Sequence, residues 1–489
     1  MHAPATVGQH LLDLYGRRPR GVAVLRRQGP RIAEMSWQEL LERGAAAGAA
    51  LRELGVRAGG TVGIVATPRP DYLSVLCGIW LSGAVAVPIH HTCTGQEIES
   101  IARSTGLQVL VVSGPTQLRK LTVPGRTVPV QLVLLEDSEI LDTMDERGRS
   151  FLRLRDLAEE RIPANLRLLG DLVGEGRTPP RAEPRGEPGA PAVIIHTPGT
   201  SGDYKGVVLS HGALLHQGRE IARMLGLTDA DVELQVLPFS HVLGLVSLMA
   251  CTASGAAMAF GGGFRSLVED LGVFQPSFVV GVPRMYEKLV RKIQAGTEEF
   301  GILWRTAFRK GLEASRERLE RRLVEEPVDW IADLQHGLAD RLVFPRVRAL
   351  FGGRLRFFVS GGAPLDREVG VYISALGVPV YEGYGLTETG GASHLNAPGR
   401  FRPGTVGRAL DGVETRIEED GEILVRSLSS MQGYLGDPAG TGDMLDGEGW
   451  LRTGDIGHLD PEGYLTVSGR KKELLVTAVG KNVAPQKIE

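Results

Sequence analysis

The chain has 489 residues, too many for one ordinary hydrophobic core, so its length predicts roughly two to four structural units. Its hydrophobic content of 42%, charged content of 23% and formal net charge of -3 indicate a soluble globular protein without the basic footprint of nucleic-acid binding. Three cysteines without close pairing exclude a disulfide framework and a zinc site, and they favour a reducing compartment. Because the N-terminus lacks the layout of a signal peptide, we expect a cytoplasmic protein.

The first third of the chain alternates predicted helices and strands. Ser36, followed by Glu39 at capping-box spacing, predicts the start of a helix. Further strands are predicted over 61–66, 83–89 and 108–113, and helices over 71–81 and 96–104. Repeated βα units imply a mainly parallel sheet covered by helices.

Two uncharged stretches, 73–92 and 243–264, are long enough to be tested as membrane spans. The first contains Pro88, and the second is rich in Gly, Ala, Ser and Thr rather than in Leu, Ile and Phe. We interpret both as helix-strand pairs inside an α/β core and predict no transmembrane helix.

A long helical region is predicted from Arg284 to about Arg348. Within it, Arg305, Arg309 and Arg316 would fall near one helical face. A solvated amphipathic helix explains this pattern. The alternative is a surface that docks an anionic membrane or a carrier protein.

These patterns predict an α/β protein: a large N-terminal domain of βα-layered sheets with a small antiparallel β subdomain. The predicted divisions are an N-terminal α/β subdomain, a central α/β subdomain with the helical region, the small β subdomain, and a short C-terminal segment. They cover 1–190, 191–403, 404–468 and 469–489.

The stretch 194–211 has the composition of a phosphate-binding loop. An apolar run that predicts a buried strand leads into a loop of Gly, Thr and Ser with one cation, Lys205. A second apolar run ends at Ser210, a predicted helix N-cap. Free backbone N–H groups, small hydroxyls and one cation suit a polyphosphate, although the glycine spacing fits neither a Walker loop nor a dinucleotide fingerprint. Taken alone, such a loop is more often a solvated turn.

Polar residues in two later segments suit a nucleotide. Tyr384, Thr387 and Glu388 follow a predicted strand and offer a ring for a base, a hydroxyl for a phosphate and a carboxylate for Mg²⁺. Asp455, predicted to lie in a tight turn, suits two ribose hydroxyls, and Arg470 opens a cluster of cations. Each of them taken singly is an ordinary loop residue.

In this order and spacing, the segments resemble the adenylate-forming superfamily of acyl-CoA synthetases, firefly luciferase and peptide-synthetase adenylation domains. The segment 197–206 resembles its phosphate loop, 384–389 matches its YGLTET motif, and 453–455 resembles its ribose-binding position. The resemblance covers nearly the whole chain. Further segments are similar to the long-chain fatty acyl-CoA synthetase branch, namely 282–286, 352–356, 360–365 and 480–485.

The resemblance implies a two-step reaction. A fatty or other apolar carboxylic acid would react with ATP to give an acyl-adenylate, and coenzyme A, the second substrate, would then form the thioester. Such chemistry depends on positioning and charge neutralisation rather than on a protein nucleophile. Mg²⁺, held by Glu388, would offset the phosphate charge.

The resemblance also assigns roles to residues. Catalytic roles fall on Lys205, Thr387, Glu388 and His241. ATP would be bound by Thr197, Thr200, Ser201, Gly202, Gly361, Gly362, Ala363, Glu382, Gly383, Tyr384, Asp455 and Arg470. The acyl substrate would meet His241, Val242, Leu243, Val280, Gly281 and Val282, for which plain core packing is the alternative. Lys472 falls at the hinge about which the small domain of the family turns. The resemblance therefore implies that 469–489 are this hinge and the start of a C-terminal α+β domain that is almost entirely absent from the chain as given.

The sequence departs from the family pattern in the phosphate loop and at its end. His196 stands where an aromatic residue is expected, Pro198 where Ser or Thr is expected, and Tyr204 where Pro usually precedes the lysine. Pro198 lacks both a hydroxyl and an N–H donor, which predicts looser pyrophosphate binding. Because relatives continue beyond the position of Glu489 and carry a late catalytic lysine there, we expect the chain as given to bind its substrates but to perform both half-reactions poorly.

Two other functions stay open. The first is a fatty acyl-AMP ligase that loads an acyl-carrier protein, and the second is a nucleotide- or acyl-binding homologue with weak catalysis, motivated by Pro198 and the missing lysine. Peripheral contact with the inner membrane surface is a further alternative for the protein's partners.

Overall fold

A computed structural model of the chain describes residues 6–29, 31–121, 131–134, 166–168, 179–180, 186–198, 204–299, 301–323, 329–473, 475–476 and 482–483. The chain divides into two compact units. The first unit comprises Met1–Arg219, Leu237–Phe260 and Leu428–Leu445. The second unit comprises Glu220–Val236, Gly261–Ser427 and Asp446–Glu489.

The α-helices of the described residues, numbered in chain order, are α1 (Val7–Arg17), α2 (Trp37–Glu53), α3 (Pro70–Leu81), α4 (Gly95–Thr105), α5 (Gly114–Leu121), α6 (His211–Leu225), α7 (Val242–Ser254), α8 (Leu267–Phe274), α9 (Pro283–Glu298), α10 (Ile302–Leu323), α11 (Trp330–Leu342), α12 (Phe344–Ala349), α13 (Arg367–Ala375) and α14 (Pro438–Met444). Short 3₁₀ helices cover Gly263–Arg265 and Lys471–Glu473.

The strands, numbered in the same way, are β1 (Val22–Gln28), β2 (Arg31–Ser36), β3 (Thr61–Val65), β4 (Val85–Ile89), β5 (Val109–Val112), β6 (Gln131–Leu134), β7 (Leu166–Leu168), β8 (Pro191–Pro198), β9 (Tyr204–Ser210), β10 (Val232–Gln235), β11 (Ala257–Phe260), β12 (Phe278–Gly281), β13 (Phe357–Ser360), β14 (Val380–Leu386), β15 (Gly391–Leu395), β16 (Arg408–Ala409), β17 (Val413–Ile417), β18 (Glu422–Ser427), β19 (Gly433–Tyr434), β20 (Leu451–Leu459), β21 (Leu465–Arg470), β22 (Leu475–Val476) and β23 (Asn482–Val483).

The first unit contains a sheet in the order β19-β9-β8-β4-β3-β5-β6-β7. Strands β3 to β8 pair in parallel, whereas β8, β9 and β19 pair antiparallel. The parallel strands β3, β4 and β5 are buried runs rich in Val, Ile and Leu, as a sheet covered on both faces requires. This confirms the predicted mainly parallel sheet.

Helices α2 and α3 of the first unit pack with direct backbone contact. The predicted capping box at Ser36 and Glu39 is present at the start of α2. A Cβ atom on Gly48 would lie 2.7 Å from the carbonyl oxygen of Gly78, and one on Gly78 would lie 2.4 Å from that of Gly44. Small residues at these three positions therefore allow the two helices to approach closely.

The two uncharged stretches form helix-strand pairs, as predicted. The first comprises α3 and β4, and the second comprises α7 and β11. In the part of the chain that the structure describes, no helix combines the length and the apolar content needed to cross a membrane.

In the second unit, strands follow the order β16-β15-β14-β13-β12-β10. Strands β10, β12, β13 and β14 are parallel, and β14, β15 and β16 pair antiparallel. The predicted long helical region is helical but consists of α9, α10, α11 and α12. Arg316 does not share an open surface with Arg305 and Arg309, because it lies 3.3 Å from Glu368 and over the ring of Tyr372 on α13.

The small antiparallel β unit predicted near the C-terminal end is a sheet in the order β17-β18-β20-β21. Ile423, Val425 and Leu465 form its buried core. The segment Leu428–Leu445, which lies between β18 and β20 in the chain, belongs to the first unit. The four predicted sequence divisions stay a prediction.

Candidate functional site

The phosphate-loop region of the first unit is flanked by the hairpin of β8 and β9. Thr197 faces Lys205 and His196 faces Gly206 in this antiparallel pair. Ser210 caps the following helix as predicted, because its Oγ accepts a hydrogen bond of 3.1 Å from the backbone N–H of Ala213. The predicted phosphate contacts Thr200, Ser201 and Gly202 lie outside the described residues. Pro198 is the last residue of β8, in register with Tyr204.

Lys205 contacts two residues that the sequence did not single out. Its Nζ lies 3.6 Å from Oδ2 of Asp437 and 4.6 Å from the centre of the Tyr434 ring. These three residues, together with Ser104, His196, Gly206 and Leu435 among others, line a cavity of about 260 Å³ in the first unit. Motif matching missed Tyr434 and Asp437, because only the pairing of β19 with β9 brings them to Lys205.

Tyr204, the departure from the family pattern beside Lys205, connects β9 to α4. Its hydroxyl donates a hydrogen bond of 2.9 Å to Oε1 of Glu97. Glu97 also completes the capping box of α4 with Thr94. Hydrogen bonds from Thr94 and then from Tyr204 lower the pKa of Glu97. A proline at position 204 could make no such side-chain bond.

His241, the predicted residue beside the substrate carboxylate, occupies the N-cap position of α7 but makes no side-chain capping bond there. Its ring centre lies 5.0 Å from that of His90, whose own ring centre lies 4.4 Å from that of His91. Burial, followed by the neighbouring charges of His91 and His241, lowers the pKa of His90 to about 4. The predicted acyl-pocket residues Val242 and Leu243 are half-buried in the first turn of α7.

In the second unit, Asp455 is buried between two partners. Oδ2 accepts a hydrogen bond of 2.6 Å from the hydroxyl of Tyr384, and Oδ1 lies 2.8 Å from Nε of Arg470. Burial and the adjacent Asp455 carboxylate raise the pKa of Tyr384. The structure thus brings three of the predicted nucleotide-binding residues together.

Two local predictions for these residues were wrong. Asp455 lies within β20, opposite Arg470 on β21, rather than in a tight turn. Tyr384 lies within β14 rather than after its end. The extension of β14 depends on Gly385, because a Cβ atom there would lie 1.8 Å from the carbonyl oxygen of Gly391 on β15. Alternation along β20 turns Asp455 to the buried face, where Arg470 offsets its charge and Tyr384 donates a hydrogen bond to it.

Thr387 and Glu388 lie in the turn between β14 and β15, and both are half-buried. Among the described residues, no group of three or more His, Cys, Asp or Glu side chains could hold a metal ion. Glu388 nevertheless suits Mg²⁺, which is typically bound by one or two carboxylates, substrate phosphates and water. Glu382, on the same strand as Tyr384, is half-buried, and desolvation of its carboxylate raises its pKa to about 7.

The predicted adenine and acyl residues of the second unit lie at the ends of β12 and β13. Gly281 faces Ser360 in the parallel register, and the N–H of Gly361 donates a bond of 3.1 Å to the carbonyl of Gly281. A Cβ atom on Gly362 would lie 3.8 Å from Cγ1 of Val282. The segments 280–282 and 361–363 are thus neighbours.

Around Gly281 there is little space, since a Cβ atom would lie 2.1 Å from Cε of Met285.

At the predicted hinge, Lys472 is exposed in the 3₁₀ helix. Its neighbour Lys471 forms ion pairs of 2.6 Å with Asp420 and 2.7 Å with Glu422. Lys471 therefore connects the end of β21 to the start of β18 within the small sheet.

Comparison with known proteins gives a consistent result. Residues 15–435 match the family model described as AMP-binding enzyme. A long-chain-fatty-acid–CoA ligase, FadD15 of Mycobacterium bovis, is 32% identical over 461 residues, which cover 91% of this chain and 70% of the relative. Long-chain-fatty-acid–CoA ligase 1 of Homo sapiens is 30% identical over 477 residues, which cover 93% of this chain and 65% of the relative.

Solved structures show the same fold. The anthranilate CoA ligase AuaEII in complex with anthranoyl-AMP has a TM-score of 0.74 at 19% identity, covering 100% of this chain and 81% of that chain. A fatty acyl CoA synthetase of Mycobacterium tuberculosis has a TM-score of 0.70 at 21% identity, covering 99% of this chain and 82% of that chain. At these identities the similarity establishes the fold alone.

Proposed function

Because this chain belongs to the AMP-binding enzyme family, we propose that it activates a fatty or other apolar carboxylic acid with ATP and transfers the acyl group to coenzyme A. The substrate carboxylate attacks the α-phosphorus of ATP, and pyrophosphate leaves. The thiol of coenzyme A then attacks the acyl carbon, and AMP leaves. The observation that carries this proposal is 32% identity, over 91% of the chain, to a protein named as a long-chain-fatty-acid–CoA ligase.

The residues of this chain contribute charge and position. The Lys205 ammonium and the Thr197 hydroxyl hold the pyrophosphate end of ATP, and Thr387 contacts the α-phosphate. When bound, Mg²⁺ offsets phosphate charge, and Glu388 is the carboxylate that holds it. No side chain forms a covalent bond to the substrate, so these groups act by orientation and electrostatics.

Asp455 and Arg470 hold the ribose in this proposal. Both carboxylate oxygens of Asp455 already have partners, at 2.6 Å from the Tyr384 hydroxyl and 2.8 Å from Arg470 Nε. A carboxylate can accept several hydrogen bonds, so in this proposal Asp455 accepts the ribose hydroxyls alongside its present donors. Tyr384 and Arg470 therefore orient Asp455 before the nucleotide binds.

A pyrophosphate-release assay tests the function. The full natural protein is incubated with ATP, Mg²⁺ and carboxylic acids of increasing chain length. We expect release that depends on the acid and falls strongly in Lys205→Ala, whereas Asp443→Asn, an exposed change outside the proposed site, has no effect. Absence of release with every acid, together with ATP binding, would instead favour a nucleotide-binding homologue with weak catalysis.

The acyl acceptor is tested separately. Coenzyme A or an acyl-carrier protein bearing phosphopantetheine is added to the acyl-adenylate reaction, and the thioester is measured by mass spectrometry. We expect a thioester with coenzyme A. If a thioester forms only with the carrier protein, the carrier protein rather than coenzyme A is the acceptor. The proposed adenylation step is the same in both cases.

We also propose that the hairpin of α10 and α11 contacts an anionic membrane surface. Four large apolar side chains recur every fourth residue of α11, on one helical face, and all are strongly exposed. They are Trp330 at 71%, Leu334 at 54%, Leu338 at 54% and Leu342 at 68% exposure. Large side chains on one exposed helical face are typical of helices that lie in a membrane interface.

Charge at one end of this hairpin favours an anionic partner. Residues 302–312 and 341–347 contain five arginine or lysine residues and no acidic residue, and the adjacent Asp340 and Arg348 form an ion pair with each other. Packing of Phe308 on α10 against Phe344 on α12, at 6.1 Å between ring centres, brings the two segments together. Arg305, Arg309 and Arg341 are exposed there. Cations beside apolar side chains fit an anionic lipid surface.

Co-sedimentation with vesicles tests this contact. We expect binding to phosphatidylglycerol vesicles but not to phosphatidylcholine vesicles, and loss of binding in Leu334→Ser/Leu338→Ser and in Arg305→Glu/Arg309→Glu. Leu428→Ser, which changes a leucine outside the hairpin that is 72% exposed, is the control. If the hairpin variants bind the vesicles as well as the natural protein does, the proposed membrane contact is refuted. If the natural protein instead self-associates with rising concentration and the variants do not, the partner of this surface is a second copy of the chain.

A further inference from the structure

Lys205 is held by two residues that lie more than 200 positions away in the chain. Its Nζ is 4.6 Å from the centre of the Tyr434 ring, within the range of a cation–π contact. The same Nζ is 3.6 Å from Oδ2 of Asp437. The side chains of Lys205 and Asp437 are 41% and 42% exposed, so a polyphosphate can still reach the ammonium.

Backbone pairing fixes the position of Tyr434 and Asp437 relative to the loop. Strand β19 pairs antiparallel with β9, with Tyr434 opposite Val207. The next residue, Leu435, donates its N–H to the carbonyl of Gly206 at 2.8 Å. Gly206 and Val207, which directly follow Lys205, are therefore paired with Leu435 and Tyr434.

The carboxylate of Asp437 is itself held in one orientation. Asp437 is the N-cap of α14, and its Oδ1 accepts a bond of 2.8 Å from the N–H of Gly440. Its backbone carbonyl accepts from the Thr441 hydroxyl at 2.7 Å, and the N–H of Tyr434 donates to that same hydroxyl at 2.8 Å. With Oδ1 engaged in the cap, Oδ2 is directed towards Lys205.

We propose that Tyr434 and Asp437 are positioning residues for Lys205, which hold its ammonium ready for the terminal phosphates of ATP. This proposal rests on the proposed function. A free lysine side chain loses considerable rotamer entropy when it is ordered, so a lysine ordered beforehand binds a phosphate at lower cost. An ion pair that is about half exposed is weak, and the more highly charged polyphosphate readily replaces it.

A double-mutant cycle tests whether the two residues act through Lys205. Asp437→Asn removes the charge and keeps an N-cap residue, and Tyr434→Leu removes the ring and keeps an apolar side chain. Each is made in the natural background and in Lys205→Ala. Asp443→Asn removes one charge from the same helix and serves as the matched control.

We expect Asp437→Asn and Tyr434→Leu each to lower kcat/KM for ATP by about two- to fivefold, with KM for the carboxylic acid unchanged. In the Lys205→Ala background the same changes have no further effect. Equal losses in both backgrounds, or no loss in the natural background, would overturn the proposal. Asp437→Asn decides the outcome if Tyr434→Leu fails to fold.

A second measurement does not depend on turnover. The whole protein is labelled with an amine-reactive ester in the absence of nucleotide. Mass spectrometry of its peptides then gives the rate at which Lys205 is modified. Release of the ammonium in Asp437→Asn and Tyr434→Leu is expected to raise this rate, with Asp443→Asn unchanged. An unchanged rate in both variants refutes the contact. Failure to release pyrophosphate with a raised rate refutes the proposed function alone.

Discussion

The hydrogen bond from Tyr384 to Asp455 permits a quantitative prediction. Tyr384→Phe removes only the hydroxyl that donates to Oδ2 of Asp455 at 2.6 Å. Asp455 is 4% exposed, so water replaces the lost donor poorly, and Oδ2 of this buried carboxylate loses a hydrogen bond. A hydrogen bond to a charged group contributes about 1.5–3 kcal/mol, and this is the loss that we expect in the free energy of unfolding.

The predicted loss converts to a measurable change in Tm. For a unit of about 150–250 residues, 1 kcal/mol shifts Tm by about 2–4 °C, so a decrease of about 3–12 °C follows. Thermal unfolding of the natural protein and of Tyr384→Phe is compared by calorimetry, with Tyr464→Phe as a control. Tyr464 lies in the same unit, and the structure gives its ring contacts with Arg402 and Arg408 but no bond from its hydroxyl to Asp455.

ATP provides the second part of this test. A ribose hydroxyl that binds Asp455 supplies the donor that Tyr384→Phe lacks, so saturating ATP restores part of the lost Tm in the variant. We therefore expect ATP to raise the Tm of Tyr384→Phe more than that of the natural protein. An unchanged Tm without ATP would refute the energetic reasoning, and equal stabilisation by ATP would refute the assignment of Asp455 to the ribose.

Three other outcomes follow from the described contacts. Burial raises the pKa of Glu382 to about 7 from an ordinary value near 4.5, so between these values the folded protein binds more protons than the unfolded chain. Its stability therefore falls as the pH rises from about 4.5 to 7, by up to about 3 kcal/mol, and Glu382→Gln removes this slope in urea unfolding. Gly48→Ala places a Cβ atom 2.7 Å from a backbone oxygen and is expected to lower the free energy of unfolding by about 1–3 kcal/mol, whereas Gly16→Ala, with nothing within 4 Å, does not destabilise. Tyr204→Phe removes the hydrogen bond of 2.9 Å to Glu97, and we expect it to lower the free energy of unfolding by about 1 kcal/mol and to raise KM for ATP. If neither the free energy of unfolding nor KM changes, the bond between β9 and α4 is unimportant for the site.

Sequence reasoning succeeded where a structure depends on neighbouring residues. The capping box at Ser36 and Glu39 and the apolar runs of β3 and β4 act within a few positions, and the structure confirms them. The ordered motifs identified the family, which the comparison with known proteins establishes. The roles of the individual site residues stay predictions.

Local reasoning failed where distant segments decide the conformation. Asp455 was expected in a tight turn, but pairing of β20 with β21 places it in a strand opposite Arg470. Arg316 was grouped with Arg305 by helical spacing, but contact with Glu368 and Tyr372 on α13 separates it from the exposed face. Periodicity places residues on a face of a helix and does not say what covers that face.

The phosphate-loop lysine illustrates the division between sequence and tertiary structure. The composition around Lys205 suits an anion, because small residues, hydroxyls and a cation act locally, and the ordered set of motifs along the chain turned this into the prediction of a phosphate loop. The partners of Lys205 could not be predicted in this way, since Tyr434 and Asp437 reach it only through the pairing of β19 with β9. Such pairing depends on the register of whole strands and on the packing around them, which no short stretch of sequence encodes. The sequence by itself therefore determined the kind of chemistry, and the tertiary structure decided which residues surround the cation.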